Sequence, residues 1–511
     1  MVTLGELARK VGGSLSASRS AGVDDIDGAA NTPLSGLTAD SKTVEAGVLF
    51  AAIPGLQVHG ARFGTQAIER GAAAIITDAE GERLLGESGG PVRVPVLVVD
   101  RVGERLGEIA AAFYEEPATR LRSFGITGTN GKTTTSYMLE QVLTEAGHNT
   151  ALIGGVELRV GGVRTPTDIT TPLPVDLQRM LASHLAAGGT DAVLEVTSHA
   201  LLQHRTDPIR FAVAGFTHLS IDHLDYHPTV EHYFEAKSRL FVPERCDAAV
   251  ILVDDEWGRA LYGIAADRLD RVYALTVEGE LPAGAEGWVA TRAGEDGGFV
   301  LVGTDGTRSE HRSGLPGLYN IANAALAVTM ALVGGVPAAR IPALIAPEVP
   351  GRMEVVSAAS PRVIVDFAHN ADALAKALLA VRPTTEGRLI VVTGTAGDRD
   401  ATKRFAMGEA CAVNADVVVI TDDDPHTEDP AQIRAALIEG TLGHDAEVIE
   451  IGDRSEAVHA AVRLADAADT VVVAGRGHWT VQFVGHDLVE LDDREVARDA
   501  LDAKAAAANE R

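Results

Sequence analysis

Cysteine is nearly absent. Two in 511 residues, Cys246 and Cys411, exclude a disulfide framework and fit a reducing compartment, so the cytoplasm is the expected location. Positive charge is also in short supply. Lys plus Arg is 44 against 72 for Asp plus Glu, a net charge of −28, which repels nucleic acid and anionic membrane surfaces. An anionic ligand therefore needs a local cluster of basic side chains or backbone amides. Long apolar runs are missing too. The longest, such as Val417–Ile420 with its flanks, are strand-length, far below the ~20 residues of a spanning helix. The opening MVTLGELARKVGG reads as an amphipathic helix start with no continuous apolar stretch, which excludes a signal peptide. No repeat of 20–50 residues is visible.

What is present is a sizeable core and room for several domains. The hydrophobic fraction is 46% with 23% charged, the composition of a globular protein; disorder as the main state and a small stapled scaffold are excluded. At ~150 residues per domain the length suggests three. The expected fold class is α/β throughout. Residues 1–120 read as a small mixed α/β domain, with strands within 47–55, 72–77 and 94–99. Residues 121–348 read as a central P-loop-type α/β domain, with a strand at 122–127, a helix over 133–146, strands at 192–196 and within 211–219, and peripheral antiparallel strands over 279–313. Residues 349–511 read as a Rossmann-like parallel α/β domain. Its four apolar runs, at 363–366, 389–393, 417–421 and 470–474, each end in polar residues. Ligands of such sheets sit outside the carboxyl ends of the strands, where FAHN, GTAGDRD, DDDPH and GRGH fall. The Ala-rich end at 503–508 reads as a fraying helix without chemistry.

The strongest local signal is ITGTNGKTT at 126–134. A strand turns through Gly128 and Gly131 into a helix, so backbone N–H groups converge on an anion at a helix N-terminus. Lys132 would reach terminal phosphates and the Thr133 hydroxyl would bind Mg²⁺. The usual spacing asks for Gly at 126, where Ile stands, so the loop is a variant. Downstream, Glu195 closes a buried strand and is a natural hard ligand for Mg²⁺. The segment 220–241 gathers His223, Asp225, His227, His232 and Lys237 without nearby Cys or HExxH spacing; His227 and His232 read as part of a solvated loop and helix.

These motifs, with LEVTSHALLQHR, LPGLYNIANAALA, VPGRMEVV, VDFAHNADAL, GDRDATKR and GRGH, occur in the order found in Mur ligases, and the chain resembles that family over nearly its whole length. ADSKTVEAGVLFAAIPG resembles the first domain of its tripeptide-forming branch. The resemblance implies ATP-dependent addition of a third amino acid, usually a diamino acid, to UDP-MurNAc-L-Ala-D-Glu through an acyl phosphate, in peptidoglycan synthesis. It implies catalytic roles for Lys132, Glu195, His223 and Lys237, and an ATP site at Gly128, Thr129, Asn130, Gly131, Lys132, Thr133, Thr134, Asn320, Asn323 and Arg352. Mg²⁺ would be held by Thr133, Glu195, His223 and Lys237, the lysine as a carbamate. Ser41, Thr170, Thr171, Thr197, Gln203 and Arg205 would hold the UDP-sugar dipeptide. Arg352, Asp366 and His369 would line the cleft between the central and C-terminal domains. Arg399, Asp423, Asp424, His426, Gly475 and Trp479 would face the incoming amino acid. The expected partners are small molecules only, with no nucleic acid or membrane insertion, and the expected state is a monomer.

The departures concern the third amino acid. Diaminopimelate-adding relatives carry DNPR and GKGHE; here stand Asp423-Asp424-Pro425-His426 and Gly475-Arg476-Gly477-His478-Trp479. Losing a guanidinium fork on a carboxylate costs ~2 kcal/mol or more. An added carboxylate without that Arg leads to the expectation of lysine or ornithine, with meso-2,6-diaminopimelate as the alternative. Trp479 would stack on an alkyl-ammonium chain or shorten the pocket. His218, Ile221, Leu318, Asn370 and Ala371 are further departures. The rival functions are a folate polyglutamate synthase-like ligase and a non-catalytic nucleotide-binding module.

Overall fold

The computed structural model describes residues 2–16, 26–55, 57–87, 92–294, 296–358 and 360–509. Two compact units divide the chain: 1–125 with 148–212 and 244–247, and 126–147 with 213–243 and 248–511. Among the described residues no helix is long and apolar enough to cross a membrane.

The first unit begins with the helix Leu4–Val11. Its i, i+3, i+4, i+7 spacing turns Leu4, Leu7, Ala8 and Val11 inward, and Thr3 closes a capping box with Glu6. That face packs on Leu49, Ala51, Ala74, Ile76 and Leu97 of a five-stranded sheet. The sheet order is Ser14–Ser16, Val96–Val98, Ala74–Thr77, Val48–Ala51, Gly36–Thr38; all neighbours are parallel except the first pair. The strands expected within 47–55, 72–77 and 94–99 are thus present in shortened form. The unit also holds the parallel pair Thr150–Ile153 and Asp191–Glu195, with a hairpin, Glu157–Val160 and Val163–Pro166, against the former.

In the second unit, Val213–Phe216, Ala249–Leu252, Val272–Val277 and Gly287–Arg292 run parallel in that order. Gly298–Gly303 and Arg308–Ser313 then extend the sheet as an antiparallel meander, which accounts for the alternating pattern over 279–313. The helix Leu318–Val333 is buried on almost every side, as its run of Ala, Leu, Val and Met requires.

The C-terminal sheet has six strands in the order Glu354–Ser357, Arg362–Asp366, Thr470–Ala474, Leu389–Thr393, Val417–Ile420, Glu447–Glu450. The four apolar runs form its parallel centre. The sheet is mixed rather than purely parallel, because Glu354–Ser357 pairs antiparallel at one edge. Both edge strands escaped the sequence reading for the same reason: each is half-exposed, so it carries no continuous apolar run. A small hairpin, Val481–Val484 with Asp487–Glu490, stands apart from this sheet.

The last helix, Asp493–Asn509, is exposed along its alanines, but Ala497 and Ala500 enter the core and Asp493 is fully buried. Asp493 receives both arms of Arg454, at 2.8 and 2.7 Å, and the same guanidinium donates to the Ala474 carbonyl at 2.9 Å. The ion pair thereby fastens the helix to the carboxyl edge of the sheet. Arg454→Met strands a buried carboxylate and is expected to cost roughly 3–5 kcal/mol, while Arg454→Met with Asp493→Leu recovers most of it. Denaturant midpoints of the two variants check this.

Candidate active site

The strand Arg122–Thr127 delivers the chain into the glycine loop, and the helix Lys132–Glu145 leaves it. Gly128 and Gly131 adopt φ of +147° and +87°, and a Cβ on either would lie 1.8 Å from Thr217 Oγ1 or 2.6 Å from Asn323 Oδ1. Positive φ and close packing both demand glycine here. Thr129 exchanges hydrogen bonds with the Ser220 backbone at 3.2 and 3.0 Å, and its N–H donates to the His218 carbonyl at 2.8 Å. Lys132 Nζ donates to the carbonyls of Gly128 and Thr129 at 3.0 and 2.9 Å. Thr133 and Thr134 are buried in the first helical turn.

Lys237 projects from the helix Val230–Ser238 and is 1% exposed. Its Nζ donates to the Gly128 carbonyl at 2.7 Å and lies 4.4 Å from the Tyr233 ring centre. Burial, and then the neighbouring Lys132 charge, pushes its pKa well below the ordinary lysine value. His223 is exposed with φ of +56°, its ring centre 6.0 Å from that of Tyr233. His227 departs from the expected solvated segment. It is fully buried, with its Nδ1 3.0 Å from His232 Nδ1 and its ring against Tyr233, because aromatic neighbours cover it.

Asn320 and Asn323 open the helix Leu318–Val333 and are buried. Asn323 Nδ2 donates to Asn320 Oδ1 at 3.2 Å, and its Oδ1 accepts from Thr135 Oγ1 at 3.2 Å, so the pair braces the loop helix. The Arg352 guanidinium lies 4.0 Å from the Phe367 ring centre. Asp366 accepts from the backbone N–H groups of Met353 and Ala368 at 2.7 and 2.9 Å, and its burial raises its pKa. His369 Nε2 and Lys403 Nζ approach Asp222 at 3.5 and 3.6 Å.

Most residues expected at the UDP-sugar dipeptide cluster in the first unit. Glu195 is 1% exposed and accepts from the Gly155 N–H at 2.9 Å. Thr171 Oγ1 donates to the Glu195 carbonyl at 2.8 Å and meets Thr197 Oγ1 at 3.2 Å. Arg205 reaches the Thr171 carbonyl at 2.7 Å and the Gln203 amide oxygen at 2.6 Å. Thr170 packs over Gly155, where an added Cβ would lie 2.9 Å from its hydroxyl. Ser41, in the same unit, donates to Gln66 Oε1 at 3.2 Å.

At the C-terminal edge the decisive residue is one the sequence reading left without a role. Arg476 is 1% exposed, and its Nη1 meets Asp423 and Asp424 at 2.8 and 2.5 Å. Asp424 also accepts from the Phe483 N–H at 3.0 Å. Asp424 thus shares one guanidinium with Asp423. His426 pairs through its backbone with the 481–490 hairpin, at 3.1 and 2.7 Å, and its ring lies on Phe483. Trp479 is half-buried against His478. The Gly475 N–H donates to the Asp366 carbonyl at 3.1 Å, and Arg399 is exposed on the GDRD loop. The Arg in place of Lys within GRGH, beside an Asp in place of Asn, was the available signal for Arg476.

Comparison with known proteins fits this arrangement. Residues 33–114, 126–331 and 351–477 match the Mur ligase catalytic, middle and glutamate ligase domains respectively. A relative from Corynebacterium efficiens, named UDP-N-acetylmuramoyl-L-alanyl-D-glutamate–2,6-diaminopimelate ligase, is 40% identical over 98% of this chain and 94% of its own. The chain belongs to the Mur ligase family. It is an ATP-dependent, amide-forming ligase of peptidoglycan synthesis. A second relative of the same name, from Streptomyces coelicolor, is 42% identical over 94% of each chain. A solved structure of a ligase so named superposes with a TM-score of 0.60 at 31% identity, covering 94% of this Mur ligase and 97% of the other chain.

Gly128→Ala in this Mur ligase forces a clash with Thr217 and a strained φ. The expected outcome is a loss of about 2 kcal/mol or more in stability, with ATP binding weakened, read by thermal unfolding and nucleotide titration.

Proposed function

We propose that this Mur ligase joins 2,6-diaminopimelate to UDP-N-acetylmuramoyl-L-alanyl-D-glutamate at the expense of ATP. The observation that carries the reading is the named activity of relatives 40–42% identical over nearly the full chain. Asp424 argues less for lysine or ornithine than its sequence position suggests, because the Arg476 guanidinium holds it together with Asp423. Arg399, exposed at the carboxyl edge of the sheet, is then our choice of cation for a substrate carboxylate, beside Asp423, Asp424, His426, Gly475 and Trp479. Residues 1–120 serve the UDP-sugar, 121–348 ATP and 349–511 the amino acid. The enzyme works as a cytoplasmic monomer on small molecules.

The reaction proceeds by phosphoryl transfer from ATP to the free D-Glu carboxylate, giving an acyl phosphate. The amine of the incoming amino acid attacks, and phosphate leaves. Lys132 offsets the negative charge that spreads over the phosphoryl oxygens. The Thr133 hydroxyl and Glu195 carboxylate are hard oxygen donors of the kind Mg²⁺ takes, and His223 and Lys237 complete our donor set. Bound Mg²⁺ would supply further neutralisation of phosphate charge. An amine is a poor partner for that ion, but its carbamate is an oxygen ligand. Formation of a carbamate with CO₂ requires an unprotonated amine, and the burial of Lys237 beside Lys132 favours that form.

Two measurements test the reading. In a ligation assay, kcat/KM for meso-2,6-diaminopimelate should exceed that for lysine and ornithine by about tenfold or more, given the worth of a paired carboxylate; a reversed order overturns the substrate. Lys237→Ala should lose phosphate release by on the order of a hundredfold or more, with partial rescue by added formate or acetate. Normal turnover of that variant without added acid removes the role.

A further inference from the structure

Only two residues of the loop 128–131 carry side chains, Thr129 and Asn130. Thr129 is tied to Ser220, as described above. Asn130, at the loop's tip, is gripped from two sides. Its carbonyl accepts from Thr217 Oγ1 at 2.7 Å. Its side-chain amide meets the start of the helix Ala371–Val381: Nδ2 donates to Asp372 Oδ2 at 3.2 Å and to Asn370 Oδ1 at 3.3 Å, while Asn370 Nδ2 donates back at 3.2 Å. Asn370 is fixed as the cap of that helix, accepting from the Ala373 N–H at 2.9 Å. Asp372 is fixed in turn by His218 Nε2 at 3.0 Å and Lys376 Nζ at 2.9 Å. Two positions singled out as departures, 218 and 370, thus meet in one network around the loop tip.

We infer that Asp372 is a positioning residue for ATP, acting through the side chain of Asn130, with Asn370 and His218 completing the clasp. A phosphate cradle binds through backbone N–H groups, and their directions depend on peptide planes that Gly128 and Gly131 leave free to rotate. Fixing the one side chain at the tip removes that freedom before the nucleotide arrives, so less binding energy goes into ordering the loop. The grip comes from 242 residues further along the chain, so docking of the C-terminal segment registers directly in the cradle.

The inference rests on the reading of this loop as the ATP site, and the test separates the two. Full-length wild type, Asp372→Ala, Asp372→Asn and Lys132→Ala are titrated with a non-hydrolysable ATP analogue and with UDP-N-acetylmuramoyl-L-alanyl-D-glutamate. Asp372→Ala should weaken nucleotide binding about tenfold, the scale of a lost charge-assisted hydrogen bond, and leave dipeptide binding within about twofold. Asp372→Asn keeps an oxygen facing Asn130 and should recover much of the loss. Wild-type nucleotide affinity in Asp372→Ala overturns the inference, as does equal loss of both ligands without recovery in Asp372→Asn. If Lys132→Ala binds the analogue like wild type, the ATP site itself falls and the inference with it.

Discussion

Two lysine amines converge on one carbonyl. Lys132 and Lys237 both donate to the Gly128 oxygen, at 3.0 and 2.7 Å, in surroundings that exclude water from the second. Two full positive charges so close in a buried setting are unfavourable, and burial falls on Lys237. One amine can stay charged, while burial presses the other toward its neutral, nucleophilic form. The glycine loop, the helix that carries Lys237 and the braces from Thr217 and Asn323 serve to hold that crowded point in place.

The same economy of positive charge runs through the molecule. With a net charge of −28, its cations are committed locally rather than spread as a field. Arg205 serves the Thr171–Gln203 cluster, Arg476 answers Asp423 and Asp424, and Arg454 answers Asp493. Asp424, read from sequence as an added carboxylate of the amino-acid site, shares one guanidinium with Asp423 in the fold. That sharing weakens the electrostatic case for a purely cationic third amino acid.

Legibility differed by residue. The strand Arg122–Thr127, the loop and the buried strands of both large sheets carry their signal in contiguous residues, as apolar runs and glycines. The antiparallel edge Glu354–Ser357 and the edge Glu447–Glu450 do not, since half-exposed strands need no apolar run. Asn320 and Asn323 were legible only as motif members; their bracing of the loop helix depends on Thr135, 188 residues away from Asn323. Arg476 and Asp372 were passed over because their partners lie 52 and 242 residues distant.

By itself the sequence determined the α/β class, the phosphate loop and the family, because each rests on local spacing: glycines that permit a turn, a Lys-Thr pair at a helix start, apolar runs that must be buried. Only the tertiary structure decided which charges remain available. A side chain's charge state and partners depend on what burial brings beside it, and residues 52, 109 and 242 positions away act on Asp424, Lys237 and Asn130.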